Sequence, residues 1–147
     1  MKSKINNCSF ILLIILIISS CNKGHSKKEI ESAMKQYDHL IQKLDADSIS
    51  LMFTPDGDLG DAAHGRSWIK RYLSTFKNVK VLSQNSTSDS IRITGDSSIQ
   101  KGTYTQVVIL SPGDTAKLKG NYIARWVWSR GTGWLLRSIN TRPEAKD

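Results

Sequence analysis

The stretch "NYIARWVWSRGTGWLL" at residues 121–136 sorts its side chains onto two faces. Tyr122, Ala124, Trp126 and Trp128 fall on one, and Ile123, Arg125 and Val127 on the other. A period of two is the mark of a β-strand, in which successive side chains point to opposite sides. Apolar residues on both sides place this strand inside a sheet. "RGTG" then breaks the run and "GWLLRSINT" resumes it. Working upstream, "AKLKGNYIARWVWS" follows the turn "SPGD", while "VKVLSQNSTSDSIRIT" and "SSIQKGTYTQVVIL" flank Gly95 and Asp96. Tight breaks between β-rich runs describe an antiparallel meander.

The residues before the meander read differently. In "SKKEIESAMKQYDHLIQKL", Ile30, Met34, Tyr37, Ile41 and Leu44 recur at steps of three and four, the stripe of an amphipathic helix. Ser26 and Glu29 have the spacing of a capping box. His39 falls off the stripe and is expected in solvent. "DADSISLMF" predicts a short second helix capped by Asp45 or Asp47, and "GRSWIKRYLSTF" a third with Trp68, Ile69, Tyr72, Leu73 and Phe76 on its inner side. Between them, "TPDGDLGDAAHG", with its proline, glycines and aspartates, reads as a turn, a short extended piece and a turn, with "DGDLGD" itself having the Asp and Gly content of a solvated turn.

The first twenty-one residues are not part of this pattern. Lys2 and Lys4 precede an uninterrupted apolar run from Phe10 to Ile18, followed by Ser19, Ser20 and Cys21. A spanning helix needs about 20 apolar residues, so this shorter run with a cationic flank is expected to be a secretory signal. Its end, "ISSC", resembles the lipobox of bacterial lipoproteins. That resemblance implies a signal peptide over 1–20, a lipid on Cys21, a tether over 21–27 and a domain over 28–143. The expected location is the cell envelope, lipid-anchored to a bacterial membrane on its periplasmic or surface face. Cys8 leaves with the signal and Cys21 is acylated, so neither remains for a disulfide or a metal site.

The chain has 147 residues and a formal charge of +8. The mature part suits one domain with one core. Its Lys and Arg residues are dispersed and form no single stripe, which argues against a nucleic-acid partner. His25 falls in the tether and His39 in solvent, leaving no metal-ligand cluster. No cofactor is implied. "GDLG" and "RGTG" are turn chemistry and not phosphate-cradling loops.

The order of elements, carried by "FTPDGDLGDAAHGRSWIKRYL", "KGTYTQVVIL" and "KGNYIARWVWSRGTGWLLRSIN", resembles the nuclear transport factor 2-like (NTF2-like) superfamily, in particular its SnoaL-like or DUF4440-type branch. The resemblance implies an α+β cone, with a strongly curved sheet wrapped around the long first helix and a pocket between sheet and helices. Members serve as enzymes, as ligand binders or as association modules, often as dimers through the outer sheet face. The resemblance thus leaves three readings open: a binder of a small apolar or amphipathic molecule or of a protein partner, an isomerase-, hydrolase- or cyclase-type enzyme, and a homodimeric envelope module. For catalysis the candidates are Asp58, Asp61 and His64, with Asp56 beside them. A carboxylate buried by aromatic rings rises in pKa toward the range of a general base. For ligand binding the candidates are Tyr104, Tyr122, Trp126 and Asn140, with most of the indole surface in the core. Arg92, Arg125 and Arg137 are expected to point outward, because an unpaired guanidinium is costly to bury.

Overall fold

Ile30, Met34 and Tyr37 are buried along one side of helix α1, Lys27–Lys43, together with Asp38. The computed structural model describes residues 24–110 and 113–144. The expected signal segment, Cys21 and the first tether residues lie outside that range. Helix α1 ends at Leu44, whose φ of 50° is left-handed, and the N–H groups of Leu44 and Asp45 close onto the carbonyls of Ile41 and Leu40. At its start Ser26 is the N-cap, but its side chain makes no capping bond. The Glu29 carboxylate is engaged instead by the Trp134 indole and by His25. Helix α2, Ala46–Leu51, is capped by Asp45, which accepts from the Ser48 N–H at 3.0 Å. His39 is exposed.

The remaining elements are β1 (Phe53–Leu59), β2 (Ala63–His64), α3 (Arg66–Leu73), a 3₁₀ turn (Ser74–Phe76), β3 (Lys80–Thr94), β4 (Ser97–Leu110), β5 (Asp114–Ser129) and β6 (Gly133–Pro143). They form a six-stranded sheet in the order β2-β1-β6-β5-β4-β3. Strands β3 to β6 are the antiparallel meander, and β1 joins β6 in parallel. Tyr122, Ala124 and Trp126 on β5 face the buried side, and Ile123 and Arg125 face out. Helix α1 packs along β3, and the concave face closes over it in one core. Each fully buried aliphatic side chain there contributes roughly 1.5–3 kcal/mol. The result is a single α+β domain, a curved sheet with few helices.

Curvature has local causes. The register shifts between Ser88 and Ser90 and between Arg125 and Trp126, and such bulges bend a strand and increase its twist. At Gly102 a β-carbon would stand 1.9 Å from the Thr87 carbonyl oxygen and 2.9 Å from the Tyr122 ring, so only glycine lets the strands approach this closely.

The structure corrects the reading of two segments. "DGDLGD" is not a solvated turn, since β1 runs through Asp56, Gly57, Asp58 and Leu59. Gly57 is there because its backbone passes the Leu136 carbonyl, where a β-carbon would lie 2.9 Å away. In α3, Ile69 and Leu73 are buried, whereas Trp68 is 61% exposed. The helix opens at Gly65, φ 79°, and Arg66 donates from Nε to the Phe53 carbonyl at 2.8 Å, which ties it to β1. Of the strand arginines, Arg92 and Arg125 are exposed. Arg137 is partly covered and lies beside Asp56 and Asp58 at 3.5 and 3.6 Å.

Gly102→Ala is expected to lower unfolding free energy by about 3 kcal/mol, an overpacking cost against fixed backbone. Gly95→Ala, with φ of 55° and open space around it, should cost about 1–2 kcal/mol from backbone conformation alone. Urea denaturation of both variants measures the difference.

Candidate functional site

The concave face and α1 do not fill the whole interior. A hollow of about 430 Å³ remains between α1, the wide end of the sheet and the β1–β2 turn. Tyr37, Tyr122 and Ile139 form its buried end. Gln84, Ser86, Tyr104 and Gln106 form one wall. Gly60, Asp61, Leu118, Asn140 and Thr141 stand at the mouth. Alternation explains the arrangement, because Tyr122 and Tyr104 share the inner face with the core residues and simply lie further toward the open end.

The wall is held from behind by Asp38. This carboxylate, 8% exposed, accepts from Gln84 Nε2 at 3.1 Å, from the Ser86 N–H at 2.8 Å and from Ser86 Oγ at 2.7 Å. A second polar chain lies deeper, with Trp126 Nε1 donating to Gln100 Oε1 at 3.0 Å and Gln100 Nε2 donating to Ser88 Oγ at 2.7 Å. The Tyr122 phenol is different. It is buried, and its oxygen has no hydrogen-bond partner. Burial raises its pKa, partly offset by the nearby Ser88 hydroxyl, yet no bond of normal geometry closes between the two. Burial also raises the Tyr37 phenol strongly, with the Asp38 charge adding to it, and raises that of Tyr104.

The candidate residues separate into three groups. Tyr104, Tyr122, Asn140 and Asp61 line the hollow, with Asp61 exposed at its mouth. Trp126 does not line it, and the expectation of a ligand-facing edge is corrected: the residue is 1% exposed, and its indole N–H is bound to Gln100. Asp58 and His64 do not reach the hollow either. They are cross-strand partners of β1 and β2, and Leu59, the next residue, is the one that turns inward. The two side chains pair outside, with His64 Nδ1 2.5 Å from Asp58 Oδ1. His64, 72% exposed, borders a shallow outer groove with Trp68, Arg71 and Tyr72. No group of His, Cys, Asp and Glu suited to a metal occurs among the described residues. Sequence reasoning missed Asp38, Gln84, Ser86 and Gln100. For Asp38 a signal existed, because it stands one helical turn after Met34 and so on the buried stripe.

No protein-family model matches the sequence, and no curated protein matches it significantly. Solved structures do match its shape. A nuclear transport factor 2 (NTF2-like) superfamily protein from Salmonella enterica superposes with a TM-score of 0.67 at 18% identity, over 81% of this chain and 91% of that one. A ketosteroid isomerase-like protein from Erwinia carotovora gives 0.70 at 17%, over 81% and 96%. A putative calcium/calmodulin dependent protein kinase II association domain from Xanthomonas campestris gives 0.70 at 17%, over 84% and 91%. At this identity the likeness defines the fold: the chain has the NTF2-like cone, with the hollow where that cone opens.

The raised phenols set a pH dependence. Each folded pKa lies above the unfolded value of about 10, so the unfolded chain loses these protons first as pH rises. Their contribution to stability is complete below about pH 10 and is lost as pH climbs through the folded values. Unfolding free energy followed by circular dichroism should therefore stay free of this loss up to about pH 9 and fall above pH 10. Tyr37→Phe, which removes the most strongly raised phenol, should flatten that fall.

Proposed function

We propose that this chain is a lipid-anchored protein of the bacterial cell envelope whose cone binds one small, neutral, amphipathic molecule in the hollow. The observation that carries the reading is the unpartnered phenol of Tyr122, 3% exposed, at the buried end. A buried hydroxyl without a partner costs about 1–3 kcal/mol, and a ligand oxygen that accepts its proton recovers that cost. The charge around the hollow defines the ligand further. No Lys, Arg or His lines it among the described residues, Asp61 guards the mouth, and the charge of Asp38 lies behind the wall. An anion entering would lose its hydration without gaining a cation. Apolar contacts come from Ile41, Leu59, Leu73 and Ile139.

Binding without catalysis is favoured because Asp61, the one carboxylate among the lining residues, is exposed at the mouth, away from the buried end of the hollow. The enzyme reading rests on a different observation, the imidazole of His64 oriented by Asp58, which borders the outer groove. Neighbours of the same fold include both a ketosteroid isomerase-like protein and a putative association domain, so the fold alone does not choose. Anchoring is supported by the "ISSC" pattern after the apolar run. Two or more acyl chains at Cys21 suffice for stable attachment.

Calorimetric titration with 2-acetylnaphthalene and with 2-naphthoate tests the binding reading. The ketone should bind, the carboxylate should bind at least about tenfold more weakly, and Tyr122→Phe should weaken the ketone about tenfold, the loss of one hydrogen bond. Equal affinities, or a ketone indifferent to Tyr122→Phe, would contradict it. For the anchor, Cys21→Ala should abolish labelling by radioactive palmitate and move the protein out of the membrane fraction.

A further inference from the structure

His25 stands outside the hollow, at the other end of the cone, and is gripped there. Its ring packs on Trp128 with centroids 4.4 Å apart and on Trp134 at 4.8 Å. Nδ1 lies 3.3 Å from Glu29 Oε2 and Nε2 lies 3.2 Å from Asp96 Oδ1. The partners are themselves fixed, since Trp134 Nε1 donates to Glu29 at 3.2 Å and the Trp128 N–H donates to the Asp96 carbonyl at 2.7 Å. The first turn of α1, the β3–β4 turn and the adjoining ends of β5 and β6 thus hold the chain at one point before the helix begins.

We infer that this closed end of the cone faces the membrane, that the mouth of the hollow opens on the opposite, water-facing end, and that ligand is exchanged with the aqueous phase. The inference rests on the lipid anchor at Cys21 proposed above. From Cys21 to His25 the chain reaches at most about 14 Å, so the gripped end stays within that distance of the lipid. The mouth is much further away. Helix α1 climbs 17 residues from the gripped end, about 25 Å at 1.5 Å per residue. On β5, Leu118 at the mouth stands roughly 30 Å from Trp128, at about 3.3 Å per residue.

The test uses the full lipidated chain in vesicles of phosphatidylcholine and phosphatidylglycerol that carry a quencher on the lipid headgroup. Acylation blocks Cys21 and Cys8 leaves with the signal, so a single introduced thiol takes the fluorophore. Thr132→Cys, in the β5–β6 turn, should be strongly quenched, and Leu118→Cys, at the mouth, should match a label in free solution. Adding His25→Ala should shrink the contrast at least about twofold, because the domain then tilts on a longer leash. A chain that floats with the vesicles but shows the Leu118 label quenched as strongly as the Thr132 label overturns the orientation alone. A chain that does not float overturns the anchor and this inference together.

Discussion

The Asp38 carboxylate constrains the whole cone. An ionised carboxylate withdrawn from water costs several kcal/mol unless its oxygens are bonded, and Asp38 finds its bonds only at Gln84 and Ser86 on β3. Helix α1 must therefore lie with this one turn opposite this one segment of the edge strand. On the far side of the sheet, β1 pairs with β6 and is tied to α3 by Arg66. With the helix fixed at one edge, the sheet buries its apolar face only by curling around it, which the bulges and Gly102 allow. The neighbour of Asp38, Tyr37, is thereby turned into the hollow, and Ser86 pairs in register with Tyr104 on the wall. One buried charge thus sets both the docking of the helix and the lining of the site.

Polarity is graded along the concave face. At the narrow end the aromatic residues are indoles, packed on one another and on His25, with Trp126 bonded to Gln100 in the dry interior. Toward the mouth they become phenols, and Tyr37, Tyr104 and Tyr122 line the hollow. Tryptophan suits the first position because its single donor needs one fixed acceptor and the rest of its surface is apolar. Tyrosine suits the second because its hydroxyl both donates and accepts, and so adapts to a guest. The tryptophans of residues 121–136 therefore build the core, and the tyrosine of the same strand serves the cavity.

The fold was legible because its signals are local. The helical stripe, the alternation of β5 and the turns at Gly95 and "RGTG" each depend on neighbours in sequence, and each survives in the structure. What was not legible depends on distant partners. Gly57 read as a turn because glycine usually marks one, but here it makes room for a strand some eighty residues away. Trp68 was assigned to the inner side of α3 by its hydrophobicity, although Ile69 and Leu73 alone satisfy the stripe. Glu29 has the spacing of a capping box, and the box lost to Trp134 and His25. In the site, alternation along β5 was enough to put Tyr122 on the inner face, and the candidates Tyr104 and Asn140 also line the hollow. It could not separate Trp126 from them, because depth along a cone is set by curvature and not by facing. Asp38 was passed over since its partners lie on another element, and nothing near it in sequence announces them.

A double-mutant cycle between Asp38 and Ser86, built from Asp38→Asn, Ser86→Ala and the combined variant, tests this account most directly. Unfolding free energies should reveal a coupling of about 2 kcal/mol, within the range for a hydrogen bond to a buried charge. A coupling indistinguishable from zero would show that the helix is held in the sheet by apolar contact alone, and that the carboxylate does not set the shape of the cone.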